Sequence, residues 1–247
     1  MEAYALTDIG KKRSVNQDYI YCTTEPVGSL DNLFILADGM GGQNAGDFAS
    51  HFVVERLREF FGQAFPGMDV HGILKEGIRR VNRELFEEAG RRPELSGTGS
   101  TLVLATVKGS VLYVANIGDS RLYLLRDELS QITHDHSYVE ELVALGRMRR
   151  GSKDYMENKN IITRAMGASG TVDPDLFAVK LRPKDSILMC SDGLSNMIDE
   201  FEMEYIIRTE ESCEKRAVAL VEAANRGGGR DNISVIVIEP QEGGAAL

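Results

Sequence analysis

The pattern of apolar and polar positions along the chain predicts a series of short β-strands. The predicted strands are runs rich in β-branched, aliphatic or aromatic residues, as strands usually are. They cover residues 19–23, 33–37, 101–107, 111–117, 122–126, 176–181, 187–190 and 233–238. Gly118-Asp119-Ser120 has the composition of a turn and separates two of these runs. We therefore expect residues 111–117 and 122–126 to form a hairpin.

Apolar stripes with helical spacing predict helices between the strands. They are found at Ala49, Phe52, Val53 and Phe60, at Leu74, Ile78, Val81 and Leu85, and at Ala217, Leu220, Val221 and Ala224. The first two helices follow the strand at residues 33–37, and the third precedes the last strand. Because short turns join consecutive strands, we expect antiparallel pairing, with helices that cover the sheet faces in a mixed α and β fold.

Two segments do not fit this periodic pattern. Residues 146–159 are polar and locally basic without clear periodicity, so we expect an excursion from the core. Residues 241–247 are small and polar, and we expect them to form a frayed, flexible tail. The sequence contains no internal repeat and no low-complexity tract that would indicate an array.

Composition and charge exclude several classes of protein. The formal net charge of −10 argues against a nucleic-acid binder, whose affinity rests largely on Lys and Arg. It does not exclude a phosphorylated substrate, because divalent cations can reverse the sign of the local field. No run approaches the ~20 apolar residues that a membrane span needs. The start lacks the features of a secretion signal, and Cys22 and Cys190 lie in apolar strand-like runs. Buried free thiols and a cytoplasmic protein are therefore expected.

Five aspartates recur at the ends of predicted strands. An Asp-Gly pair usually marks only a turn, so each of them alone would be ordinary. As a set they are less easily dismissed, because strand ends lie at sheet edges, where residues distant in sequence can converge. Converging carboxylates repel unless a cation is present, and hard cations such as Mg²⁺ and Mn²⁺ prefer oxygen ligands. The aspartates are Asp18, Asp38, Asp119, Asp192 and Asp231.

An ordered set of motifs containing these aspartates strongly resembles the metal-dependent protein phosphatases of type 2C, in their compact bacterial form. The motifs are Arg13-Ser14-Val15-Asn16-Gln17-Asp18, Asp38-Gly39-Met40-Gly41-Gly42, Gly118-Asp119-Ser120-Arg121, Ser191-Asp192-Gly193 and Asp231-Asn232. The resemblance implies a four-layer α-β-β-α sandwich, an α+β fold in which helix pairs flank two antiparallel sheets. It also implies one catalytic domain over residues 1–240, with a flap near residues 146–160 beside the active site.

The same resemblance assigns roles to individual residues. Asp38 would bridge two Mn²⁺ or Mg²⁺ ions, Asp192 and Asp231 would complete one of them, and Asp18 and the Gly39 carbonyl the other. Asp119, with Asp192, would hold a possible third ion. Arg13 would bind the substrate phosphate through two charge-assisted hydrogen bonds. A water that bridges two metals would attack phosphorus in line, so Asp38 and Arg13 are the expected catalytic residues.

The sequence differs from the family pattern at two positions. Met40 stands where animal members have a histidine proposed as the acid for the leaving group, and Gln17 replaces a glutamate of many relatives. A Cys-dependent mechanism is not indicated, because none of the cysteines has an arginine six positions later. His134 and His136 could suggest zinc, but Ser137 and Tyr138 follow. We expect these histidines to have a structural or hydrogen-bonding role.

The expected substrates are proteins phosphorylated on serine or threonine, and the expected partner is a bacterial Ser/Thr kinase with its targets. We expect a monomer that binds no nucleic acid and no membrane. Two alternatives remain open from the residues. One is a non-catalytic relative that binds phosphopeptides, and the other is a two-metal hydrolase of small phosphate esters.

Overall fold

The computed structural model describes residues 1–41 and 45–240. The predicted tail at residues 241–247 and the motif glycine Gly42 lie outside the described residues. In the described part the strands are β1 (Glu2–Asp8), β2 (Asp18–Thr23), β3 (Leu33–Met40), β4 (Gly99–Ser100), β5 (Leu102–Lys108), β6 (Val111–Ile117), β7 (Arg121–Leu125), β8 (Leu129–Gln131), β9 (Asp175–Lys180), β10 (Ser186–Cys190) and β11 (Ile233–Glu239). The helices are α1 (Ala45–Phe61), α2 (Val70–Arg91), α3 (Tyr138–Ala144), α4 (Lys153–Asn158), α5 (Asp192–Ser195), α6 (Glu200–Thr209) and α7 (Cys213–Arg226), with a 3₁₀ turn at Pro93–Leu95.

The strands form two antiparallel sheets, which confirms the predicted pairing. One sheet has the order β1-β11-β10-β7-β8, and the other has the order β2-β3-β5-β6-β9 with β4 beside β3. Helices α1 and α2 pack together on the second sheet, and α6 and α7 pack together on the first. The result is the four-layer sandwich that the resemblance implies.

Three apolar cores hold the four layers together. Along β3, Leu33, Ile35 and Ala37 face α1 and α2, whereas Phe34 and Leu36 face the opposite sheet. Strand β11 divides its side chains in the same way between α7 and the inter-sheet core. Central strands of such a sandwich are buried on both faces, so they read as continuous apolar runs rather than as an alternation.

The predicted hairpin between residues 111–117 and 122–126 is wrong. Strand β6 pairs with β5 and β9 in one sheet, whereas β7 pairs with β10 and β8 in the other. The connecting turn is largely buried, and two of its polar groups bond to residues outside both strands. The Gly118 N–H donates to Nδ1 of His136 (3.1 Å), and the hydroxyls of Ser120 and Thr101 share a hydrogen bond (2.7 Å). The turn therefore carries the chain from one sheet to the other.

The described residues contain neither a candidate membrane-spanning helix nor a disulfide bond. Their helices all lack the combination of length and apolar composition needed to cross a bilayer. Cys190 and Cys213 are buried, Cys22 is half-buried, and all three are free thiols. The prediction of buried free thiols holds fully for Cys190 and in part for Cys22.

Candidate metal centre

The first pair of predicted ligands comes from neighbouring strands of the six-stranded sheet. In the register of β2 and β3, Asp18 lies directly opposite Asp38, so the two side chains share one face of the sheet. Gly39 follows, and its position cannot take a side chain. A Cβ there would lie 1.9 Å from the Gly46 carbonyl oxygen and 2.8 Å from that of Gln17. The close approach of the α1 backbone thus explains the glycine beside Asp38.

The second pair comes from the five-stranded sheet. Asp192 begins the short helix α5 directly after β10, and Asp231 precedes β11, which pairs with β10. The Asn196 amide donates to Oδ2 of Asp192 (2.9 Å) and fixes the orientation of that carboxylate. A Cβ on Gly193 would lie 1.9 Å from the Asn232 carbonyl oxygen, so this tight turn also requires glycine.

Two buried polar side chains hold the sheets together at this point. The Ser191 hydroxyl donates to Oδ2 of Asp18 (2.8 Å) and accepts the backbone N–H of Ser234 (3.0 Å). The Asn232 side chain accepts the Gln17 N–H (2.9 Å) and donates to the carbonyls of Ile9 and Val15 (both 3.0 Å). The loop before Asp18 is therefore fixed to the strand that follows Asp231.

Asp119 reaches the same centre from the crossover turn. Thr101, which bonds to Ser120 in that turn, also accepts the Asp38 N–H through its hydroxyl oxygen (3.0 Å). On the other side of the turn, Nδ1 of His136 accepts the Gly118 N–H. Its Nε2 must therefore carry a proton, and it lies 3.2 Å from Oδ2 of Asp175. His136 has the hydrogen-bonding role expected from the sequence.

A half-buried ion pair follows this turn in the chain. Arg121 donates to both carboxylate oxygens of Asp135 (3.0, 3.0 and 2.6 Å) and to the Tyr123 hydroxyl (2.9 Å). Gln131 donates to the same carboxylate (2.7 Å). Arg121 belongs to one of the motifs identified in the sequence, but its pairing with Asp135 is visible only in the structure.

The carboxyl groups of Asp18, Asp38, Asp119 and Asp192 have strongly raised pKa values. Burial raises the pKa of Asp18 and of Asp119 to about 7, that of Asp192 to about 6, and that of Asp38 well above its usual range. The negative charges of the neighbouring aspartates raise these values further, and Asp231 contributes to the shifts of Asp18, Asp38 and Asp192. The structure thus brings all five predicted aspartates into one electrostatic cluster.

The cluster fits divalent cations. Oδ1 of Asp18 and Oδ1 of Asp192 are buried, and neither has a hydrogen-bond partner among the described residues. A buried carboxylate oxygen without a partner is costly, and a cation would remove both that cost and the mutual repulsion. The donors are all oxygens, as Mg²⁺ and Mn²⁺ require.

Arg13 already balances part of this charge. Its Nη2 donates to Oδ2 of Asp231 (2.8 Å), and this bond raises the pKa of Arg13. About half of the Arg13 side chain is exposed (48%), so Arg13 lies on the solvent side of the aspartate cluster. The loop that carries it is fixed by a backbone bond from Lys11 N–H to the Gly229 carbonyl (2.7 Å).

Residues 146–159 form turns and helix α4, and they contact helix α3 and Asn196. Glu140 of α3 accepts from the Arg150 guanidinium (2.6–3.1 Å) and from the Tyr155 hydroxyl (2.7 Å). At the end of α4, Lys159 donates to Oδ1 of Asn196 (2.5 Å), the residue that holds Asp192. The predicted excursion is therefore connected to a predicted metal ligand through one amide side chain.

Another group of potential ligands lies elsewhere in the described chain. Ligand atoms of Glu2, Cys213 and Glu239 lie within 4.8 Å of one another. Burial raises the pKa of the Cys213 thiol to about 12, and Arg216 pairs with Glu239. The group mixes one thiol with two carboxylates, one of which Arg216 already compensates, so it lacks the all-oxygen donor set of the aspartate cluster.

Known proteins resemble this chain over nearly its whole length. The family model described as protein phosphatase 2C matches residues 10–224. The serine/threonine phosphatase stp of Listeria monocytogenes is 38% identical over 245 residues, covering 97% of this chain and 96% of that protein. The structure of the S. agalactiae serine/threonine phosphatase superposes with a TM-score of 0.89 at 34% identity, over 96% of this chain and 98% of that one. The catalytic domain of the phosphatase PstP, solved in complex with two manganese ions, gives a TM-score of 0.82 at 35% identity, over 96% of each chain.

Proposed function

This chain belongs to the protein phosphatase 2C family and is a metal-dependent protein serine/threonine phosphatase, and we propose that the aspartate cluster is its catalytic centre. The observation that carries this proposal is the convergence of five aspartates from both sheets, two of which have buried oxygens without a partner in the described part of the chain. Such a cluster has no structural purpose without cations, because it costs stability in their absence.

The proposed ligand set is the one that the family resemblance implies. Asp38 would bridge two ions, Asp192 and Asp231 would complete one site, and Asp18 and the Gly39 carbonyl would complete the other. Asp119 and Asp192 would hold a third ion. When bound, Mn²⁺ or Mg²⁺ would lower the pKa of a water that attacks phosphorus and would offset charge in the transition state. We propose that residues 1–240 form one domain, since these ligands come from both sheets.

The protein's own residues would position the phosphate ester. Asn196 and Ser191 orient Asp192 and Asp18 through hydrogen bonds of 2.9 and 2.8 Å. Arg13 bonds to Asp231, and a cation on Asp231 would free the guanidinium fork to bind two phosphate oxygens. Met40 has no titratable proton, so it would not protonate the leaving alkoxide. No cysteine or serine nucleophile is required, because displacement by water takes a single step.

The free thiols and the basic segment 146–159 are the features on which we base a proposal for the cellular role. We propose a monomeric enzyme that reverses signalling by a bacterial Ser/Thr kinase in the cytoplasm, which the three free thiols favour. We propose that residues 146–159 act as a flap that guides substrates. Arg147 and Arg149 are exposed there, and Lys159 connects this segment to Asp192 through Asn196.

Substrate class can be tested by comparing a phosphothreonine peptide with a small aryl phosphate at saturating Mn²⁺. We expect kcat/KM to be higher for the peptide. A preference for the small ester would support the small-ester hydrolase instead. Binding of the peptide without release of phosphate would support the non-catalytic binding module.

A further inference from the structure

An apolar pocket of about 310 Å³ lies beside the metal centre. We call it the Met40 pocket, and its walls include Met40, Phe86, Ala89, Gly90, Gly97 and Gly167. It lies between the end of α2, the segment after the 3₁₀ turn, and the loop that contains Gly167. The sequence analysis identified Met40 only as a replacement for a histidine and did not identify this pocket.

Four glycines, Gly90, Gly97, Gly99 and Gly167, line the pocket. A Cβ added at Gly97 or Gly90 would meet no atom within 4 Å. Gly167 has φ of +79°, and a Cβ there would lie 2.6 Å from Leu85, so this wall depends on glycine. Phe86 forms another wall with 44% of its surface exposed. Apolar surface of this kind can bind an apolar group from outside.

Met40, which lines the pocket, belongs to β3, the strand that also carries Asp38 and Gly39. Met40 pairs with Gly99, and Gly39 pairs with Ser100, between β3 and β4. The Ser100 hydroxyl lies within hydrogen-bonding distance of the carbonyls of Asp38 (3.1 Å) and Thr101 (2.8 Å). The Thr98 hydroxyl lies within the same range of those of Met40 (3.2 Å) and Ala45 (2.5 Å). Met40 lies two residues after Asp38, or about 7 Å along an extended strand. An extended peptide covers that distance in two to three residues.

We propose that the Met40 pocket is a specificity subsite that binds an apolar side chain (Leu, Met or Phe) two or three residues from the phosphorylated residue of the protein substrate. The inference rests on the proposed function, because it requires a peptide with its phosphate at the metal centre. The occupant is the substrate itself, since the pocket shares the β3 backbone with a predicted metal ligand. Binding there would lower KM without changing the chemical step.

The test uses phosphothreonine peptides of equal length and charge. A single leucine replaces serine in turn at each position from three residues before to three residues after the phosphothreonine. With Mn²⁺ present, we expect leucine at one position two or three residues away to raise kcat/KM about 10-fold, mainly through KM. The variant Ala89→Leu fills the pocket from α2 and should remove that preference, and Gly90→Leu provides a second filling variant.

Two controls make the outcomes distinct. Gly90→Ala adds one methyl group at an exposed helical position and should retain the leucine preference. Hydrolysis of a small aryl phosphate should be unchanged in all the variants, because that ester does not reach the pocket. Equal kcat/KM for every peptide, or a preference that survives both filling variants, would overturn the subsite and leave the phosphatase function intact. Hydrolysis of the small ester without hydrolysis of any peptide would overturn both.

Discussion

Without cations, the buried carboxylate of Asp18 destabilises the folded protein at neutral and alkaline pH. Asp18 is 5% exposed, and Ser191 donates to its Oδ2 (2.8 Å). The substitution Asp18→Asn keeps the shape of the side chain and an oxygen that can accept this bond, but it removes the charge. We therefore expect the metal-free variant to be more stable than the wild type at pH 8, even though a predicted metal ligand has been lost.

The size of the effect follows from the pKa shift. Burial, together with the charges of Asp192 and Asp231, raises the pKa of Asp18 from 3.8 to about 7. At about 1.4 kcal/mol per pKa unit, ionised Asp18 costs the folded state at most ~4 kcal/mol. Part of this cost is shared with the coupled aspartates, so we expect a gain of about 1–3 kcal/mol. For a protein of this size, that gain corresponds to roughly 3–10 °C in Tm.

The sign of the pH dependence follows from linkage. A carboxyl group whose pKa is higher in the folded state than in the unfolded state binds more protons when folded. Its stabilising contribution is fully present below pH 3.8 and is lost as the pH rises through about 7. The difference between Asp18→Asn and the wild type should therefore be small near pH 4 and should grow towards pH 8.

Thermal unfolding in chelator-treated buffers from pH 4 to pH 8 measures this difference. Asp31→Asn, at an exposed loop position before β3, is the matched control and should leave Tm unchanged. Added Mn²⁺ should raise the Tm of the wild type more than that of Asp18→Asn, because binding to the folded state stabilises it. A metal-free variant that is less stable than the wild type at pH 8, or a difference independent of pH, would refute the reasoning.

Three further outcomes follow from the same contacts. Arg13→Ala should lower kcat/KM for a phosphopeptide roughly 10- to 100-fold, because two charge-assisted bonds are lost, and far-UV circular dichroism should show an unchanged fold. Ser191→Ala should cost about 1–3 kcal/mol in urea unfolding, because the Asp18 carboxylate and the Ser234 N–H lose a buried partner; a change below 0.5 kcal/mol would contradict this role. Replacing residues 146–159 with a short neutral linker should change the preference among phosphoproteins but leave aryl phosphate hydrolysis unaffected, and an unchanged preference would argue against a flap.

The sequence predicts the buried elements well and the half-buried ones poorly. Strand β11 and helix α2 have strong periodic signals because their apolar faces pack into cores. Strand β1 was missed, since it lies at a sheet edge and most of its residues are only half-buried. Helix α6 was missed because Phe201 and Tyr205 are exposed on its outer face (83% and 62%), which obscures its apolar stripe.

The short helices of the 138–158 region depend on tertiary contacts. Helices α3 and α4 have seven and six residues, and isolated helices of that length are unstable in water. They are held by Glu140, which accepts from both Arg150 and Tyr155. Side-chain bonds between residues ten or more positions apart leave no periodic trace in a sequence. This explains why α3 was not predicted and why residues 146–159 were predicted only as an excursion.

The predicted metal ligands could be identified from the sequence, whereas the residues that hold them in place by hydrogen bonds could not. Aspartates at the ends of predicted strands are a recognisable pattern, and this pattern identified the five residues that the fold brings together. Asn232, Thr101 and Ser191 are uncharged, buried and distant in sequence from the groups they hold. Their roles depend on the crossover of the chain between sheets, which the incorrect hairpin prediction had missed.

The most direct test of the central claim is phosphate release from a phosphothreonine peptide during a Mn²⁺ titration of the wild type and of Asp38→Asn. We expect no release from chelated wild type, saturable release as Mn²⁺ is added, and a loss of release in Asp38→Asn at all Mn²⁺ concentrations. Release by chelated wild type, or normal release by Asp38→Asn, would contradict a catalytic centre built on cations held by Asp38.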